Sequence, residues 1–84
     1  MKFKETVIFS QVEDDIHAID IEEIDQNVIV FKDASVFFTN GLRSGKTKSQ
    51  ILDNATDEFD ISKEQVESDF NSFIDRLNEY SLLV

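Results

Sequence analysis

The chain of 84 residues contains no cysteine, no proline and no tryptophan, only two glycines, and one histidine, His17. Without cysteine there is neither a disulfide nor a thiolate to act as nucleophile or metal ligand. With a single imidazole, a metal site lacks further histidine or cysteine ligands, and a nucleophilic site needs a partner serine poised by the fold. His17 is therefore read as an ordinary strand residue. An N-terminal apolar h-region and long apolar runs are missing, so neither secretion nor membrane insertion is indicated and a cytoplasmic home is the default. There are no repeats and no low-complexity linkers. Positive charge is also scarce: eight Lys and Arg stand against eighteen Asp and Glu, a net charge of −10. Nucleic-acid affinity rests on clustered cations at phosphates, so this chain repels DNA and RNA. Acidity of this size either serves solubility or suits a partner with a basic segment.

What the chain does have is apolar bulk: 40% hydrophobic residues, eight of them Phe. A chain this long makes one domain and buries roughly 60–65% of its unfolded surface, so its core must pack efficiently. The first third reads as strands. Thr6-Val7-Ile8-Phe9-Ser10-Gln11-Val12 is β-branched and aromatic and stops at an acidic turn, Glu13-Asp14-Asp15. Residues 16–21 form a second strand candidate with imperfect alternation, and the polar stretch 22–27 connects it to the apolar run Val28-Ile29-Val30-Phe31. That run is too short for a helix and predicts a third strand over about 28–32. The expected sheet is a three-stranded antiparallel meander, with strands at about 6–12, 16–21 and 28–32.

From Asp33 the period changes. Asp33 can N-cap a helix over about 33–42, ended by Gly41 or by Ser44-Gly45, although Val36-Phe37-Phe38-Thr39 suits a strand equally. Thr47-Lys48-Ser49-Gln50 matches a capping box and opens a helix over 47–58, with Ile51, Leu52, Ala55 and Phe59 on one face. Ser62-Lys63-Glu64-Gln65 matches a second box, with Ile61 and Val66 at the positions of a hydrophobic staple. A third helix over 62–80 then carries Val66, Phe70, Phe73, Ile74 and Leu77 as its apolar stripe. Tyr80, Leu82 and Leu83 predict that the C-terminal segment packs.

Three features resemble chemistry without meeting its requirements. Residues 40–47 approach the phosphate-binding pattern G-x-x-x-x-G-K-T, but Asn40 stands where the first Gly belongs and no parallel α/β sheet is in prospect. The stretch is read as a loop whose Thr47 caps the next helix. The acidic groups Asp14-Asp15, Glu22-Glu23-Asp25 and Asp53 to Asp60 lack the offsets of a calcium loop and read as solvated surface. Paired carboxylates for acid–base work need a cleft, which so small a domain rarely has. The expectation is a non-catalytic chain with no metal and no cofactor.

The predicted architecture is α+β: a three-stranded antiparallel sheet followed by three helices, winged-helix-turn-helix-like. DNA-binding members of that class present a basic recognition helix, whereas the third helix here carries Glu64, Glu67, Asp69, Asp75 and Glu79 against Lys63 and Arg76. At this point the sequence resembles the PqqD family, the leader-peptide recognition elements of ribosomally made, post-translationally modified peptides. Gly45-Lys46-Thr47-Lys48-Ser49-Gln50-Ile51 resembles the family's G-x-T-x-x-x-I opening of the second helix. Phe59-Asp60-Ile61, then Gln65-Val66, Asp69-Phe70, Phe73-Ile74 and Leu77, follow its helical pattern, and Leu82-Leu83 its terminal apolar pair. The match runs from Phe31 onward. It departs where the family has a Leu-Asn pair and a large apolar residue, often Trp; Phe31-Lys32 and Thr39 stand there.

The resemblance implies a peptide chaperone of natural-product biosynthesis. Such a domain binds the leader of a precursor peptide as an added strand between the third strand and the third helix. It then presents the leader to a separate modifying enzyme, such as a radical SAM or ATP-dependent enzyme. The edge is Val28, Ile29, Val30, Phe31 and Lys32. On the helix, Asp69, Phe73, Arg76 and Tyr80 share one flank by their spacing, with Phe73 and Tyr80 receiving apolar leader residues and Asp69 and Arg76 reading charge. The opposite flank, Ile74 and Asn78, is the alternative. The domain is expected to act as a monomer or homodimer, without nucleic-acid or membrane partners. Two other readings stay open: an acidic, nucleic-acid-mimicking inhibitor, and a degenerate winged-helix module for protein–protein interaction.

Overall fold

β-Branched and aromatic residues in the first third extend into three strands: β1 (Val7–Val12), β2 (Asp15–Asp20) and β3 (Ile29–Phe31). The computed structural model describes residues 1–25 and 27–84; Gln26, in the expected polar connection, lies outside the described residues. The strands pair antiparallel in the order β1-β2-β3, with Val12 opposite Asp15 and His17 opposite Val30. β3 is therefore an edge strand. The acidic turn is shorter than expected: Glu13 and Asp14 alone make it, Glu13 taking the left-handed φ of 56° that a tight hairpin demands, and Asp15 already belongs to β2. β3 is also shorter than 28–32. The Lys32 carbonyl accepts from the Ser35 N–H at 3.0 Å and Asp33 turns at φ 52°, so the ladder stops at Phe31.

Three helices follow: α1 (Ala34–Arg43), α2 (Lys48–Phe59) and α3 (Lys63–Glu79). The segment 36–39, which suited either state, is helical because that period brings Phe38 and Leu42 onto one buried face. Asp33 stands at the N-cap, but its positive φ prevents its side chain from capping, and no cap bond forms. The helix ends at Ser44-Gly45 rather than Gly41. Gly45 at φ 80° donates to the Leu42 carbonyl and Lys46 to the Gly41 carbonyl, the two bonds of a Schellman motif. Gly41 has a different task. A Cβ there would lie 2.8 Å from Ile51 Cγ1, so glycine permits α1 and α2 to approach.

Thr47 opens α2 with a complete capping box: its hydroxyl accepts from the Gln50 N–H at 3.2 Å, and Gln50 Oε1 accepts from the Thr47 N–H at 2.9 Å. The phosphate-loop resemblance thus ends in a helix cap, with residues 40–43 helical. At α3 only half of the expected box forms. Ser62 accepts from the Gln65 N–H, but the Gln65 amide turns forward and donates to the Asp69 carboxylate at 2.8 Å.

The helices cover one sheet face. Val7, Ile16, Ala18, Ile29 and Phe31 point inward from the strands and join Phe38, Leu42, Ile51, Leu52, Ala55, Val66, Phe70, Phe73 and Leu77 in one core. Phe31, Phe73, Phe38 and Phe70 form a run of edge-to-face and tilted rings, with centroids 5.2–5.7 Å apart along it. This run carries the sheet's packing into α1 and α3. Phe59, expected on the buried face of α2, sits instead at its rim against Phe37, 5.4 Å away. The C-terminal segment packs: Leu82 is buried, and the Lys4 N–H donates to its carbonyl at 2.9 Å, while Phe3 bridges to Leu83. Among the described residues no helix is long and apolar enough to cross a membrane.

Candidate functional site

In an antiparallel ladder each residue's N–H and C=O point the same way, and the direction alternates along the strand. The Ile21 N–H donates to Thr6, toward β1. Residues 15, 17 and 19 of β2 therefore also face β1, and residues 16 and 18 face β3. Their partners Phe31 and Ile29 are thus the inward-bonded positions of β3. The backbone groups of Val30, between them, point away from the sheet. Because the Lys32 carbonyl is used by the turn to Ser35, Val30 is the centre of the edge. A strand of this length offers one full pairing position with partial ones beside it.

The residue spacing puts Asp69, Phe73, Arg76 and Tyr80 along one flank of α3, and two contacts tie that flank to the edge. The ring of Phe73 packs against Phe31 at 5.7 Å, and Arg76 Nη2 donates to the Val30 carbonyl at 3.1 Å. The guanidinium lies 5.6 Å from the Phe31 ring and 5.9 Å from that of Tyr80. These contacts orient the helix: the Asp69–Tyr80 flank faces β3. Ile74, on the other flank, packs into the core margin.

Two depressions lie along the line between β3 and α3. One, about 200 Å³, is bounded by Ile29, Tyr80 and Leu82 with the carboxylates of Asp20, Glu23, Asp25 and Glu79 around it. The other, about 360 Å³, is bounded by Lys32, Ser35, Phe38, Asp69, Phe73 and Arg76. Arg76 lines the second, and its guanidinium lies 5.9 Å from the Tyr80 ring that borders the first. The arrangement has Phe73 and Phe38 at its floor and charged groups at its rim, with the outward backbone of Val30 on one wall. That suits an extended peptide.

Not every expected residue stands as foreseen. Phe73 is 4% exposed, so it floors the second depression as part of the core rather than projecting into it. Tyr80, 41% exposed, borders the other depression. Val28 and Lys32 lie outside the strand, and the Lys32 amine is engaged by Asp15 at 3.0 Å. Asp69 accepts from Gln65. Asp20, Ser35 and Phe38 were not foreseen. Asp20 had a readable signal, since it falls on the inward phase of β2 after Ile16 and Ala18. A hydrogen bond from Thr6, then one from the Glu22 N–H, together with the Lys4 charge, hold its carboxyl below the ordinary carboxylate range against the opposing effect of burial. No group of three or more His, Cys, Asp or Glu among the described residues is placed to hold a metal ion.

Fold and site together define a small α+β domain with an open strand edge beside a helix flank. A family model described as Coenzyme PQQ synthesis protein D (PqqD) matches residues 5–83, and the chain belongs to that family. Among solved structures, TbiB1 in complex with the TbiA(beta) leader peptide matches with a TM-score of 0.91 at 20% sequence identity, over 99% of this chain and 94% of that one. At that identity the likeness is one of fold. No curated protein matches the chain.

Proposed function

We propose that the chain is a non-catalytic adaptor that binds the leader of a ribosomally made precursor peptide as a strand added to β3 and presents it to a separate modifying enzyme. The observation that carries this is the outward-facing backbone of Val30 at the centre of an edge strand, walled by the Asp69–Tyr80 flank of α3. Membership of the PqqD family supports it. So does the fold shared with TbiB1, a protein solved with a leader peptide bound. Backbone pairing along Val28–Lys32 supplies affinity with little demand on sequence, and side chains entering the two depressions supply specificity. Tyr80 and the Phe73 floor receive apolar leader residues; Asp69 and Arg76 set the charge preference between them. The modifying enzyme is a separate cytoplasmic protein, such as a radical SAM or ATP-dependent enzyme.

The test is an amide titration of the ¹⁵N-labelled chain with synthetic leaders of precursor peptides encoded near its gene. Saturable shifts confined to residues 28–32 and the Asp69–Tyr80 flank are expected. Shifts spread over the acidic surface and abolished by salt would instead mark a nucleic-acid mimic. Shifts on the β1 side of the sheet would rule out strand addition at β3.

A further inference from the structure

The Val30 carbonyl, the central acceptor of the open edge, is already taken: Arg76 Nη2 holds it at 3.1 Å. The same guanidinium lines one depression and lies 5.9 Å from the Tyr80 ring that borders the other. An added strand paired at Val30 donates a backbone N–H to the same carbonyl oxygen, so peptide and guanidinium compete as donors there. In a chain with eighteen Asp and Glu, Arg76 forms no ion pair among the described residues. Asp69, the carboxylate on its own flank, is turned to Gln65. Arg76 thus rests on a neutral carbonyl between two aromatic rings, half-buried, with most of its donors uncommitted.

We infer that Arg76 is an exchangeable bar across the site that selects for an acidic side chain on the incoming peptide. In the free protein it occupies the Val30 acceptor and shields the edge from pairing with other strands. When a peptide takes that acceptor, the guanidinium swings off the edge and needs a new partner. A neutral peptide returns only a backbone hydrogen bond and strands a partly desolvated cation. A carboxylate from an Asp or Glu side chain near the position opposite Val30 meets the guanidinium fork with two parallel bonds. With the guanidinium half-buried near the Phe31 and Tyr80 rings, this pair is screened less than a fully exposed one. The inference rests on strand addition at β3 and adds the sign of the charge that is read.

The experiment is selection of a random dodecapeptide phage library on the full chain and on Arg76→Met, which keeps the apolar stem. Arg76→Gln, which keeps an N–H donor without charge, is the second variant should the first unfold. The wild-type selection is expected to enrich Asp or Glu at one position, and the variants to lose that preference. In calorimetric titration, changing that acidic residue to its amide in the selected consensus peptide weakens wild-type binding about tenfold or more, as loss of one charge-assisted bidentate pair does. The same change alters binding to the variants less than twofold. The Val30 carbonyl ¹³C resonance moves on Arg76→Met in the free protein. A consensus with no acidic position, or equal losses in wild type and variants, with amide shifts still at 28–32 and α3, overturns the inference and leaves the proposed function standing. Shifts away from that edge overturn both.

Discussion

At position 39, α1 turns a hydroxyl into the core. Thr39 is fully buried, and its Oγ1 has no hydrogen-bond partner among the described residues. Its neighbours are core residues, so the position receives a polar atom where an apolar one would cost nothing. Burying an unpaired hydroxyl costs about 1–3 kcal/mol. Thr39→Val keeps the branched shape and removes that cost; we expect a gain of about 1 kcal/mol, read as a higher urea midpoint at unchanged m-value. Asp20 works the other way, a buried carboxylate well supplied with donors. Its folded-state pKa is lowered, so its contribution to stability is complete above the ordinary value of 3.8 and is lost as pH falls through the lower folded-state value. Asp20→Asn is therefore expected to flatten the dependence of the urea midpoint on pH below 3.8, while lowering stability at neutral pH.

Among the elements, the α1–α2 contact turns on one missing methyl group. Gly41 lies inside α1 and faces Ile51, which is 0% exposed and has no room to yield. Alanine favours a helix interior by about 1 kcal/mol over glycine, yet overpacking a core costs about 1–3 kcal/mol. Gly41→Ala is expected to destabilise by about 1–2 kcal/mol net, with the loss partly cancelled in the Gly41→Ala, Ile51→Ala double variant when thermal unfolding closes the cycle. The elements also show what a sequence can disclose. The Thr47 capping box was legible because both its bonds join residues three apart. The α3 stripe was legible because Val66, Phe70, Phe73 and Leu77 repeat on one face. The end of β3 was not, because a turn bond between Ser35 and Lys32 decides it. Phe3 could not be placed in the core from its neighbours, because its partner Leu83 lies at the far end of the chain. That Asp69, Phe73, Arg76 and Tyr80 share one flank of α3 followed from spacing, whereas which flank meets the edge, and the Arg76 bond to Val30, needed the tertiary contacts.

Across the whole molecule the charge of −10 is balanced by few internal pairs. Among the described residues, Lys32–Asp15 and Lys63–Asp53 are the ion pairs, both at exposed lysines, and such pairs contribute at most about 1 kcal/mol each. Self-repulsion then outweighs attraction, and screening relieves it. Raising sodium chloride from about 10 mM to about 200 mM, which shortens the Debye length from about 30 Å to about 7 Å, is expected to stabilise the fold. The check is a urea midpoint that rises with salt. The paired ends of the chain have a mechanical consequence as well. Lys4 is bonded to Leu82 and Val84 to Lys2, antiparallel, so both termini leave the bridge on the same side. A pull between them loads these bonds one after another, as a zip is opened. A domain tethered at both ends would thus yield first at Lys2–Val84, while β3 and α3 still hold their places.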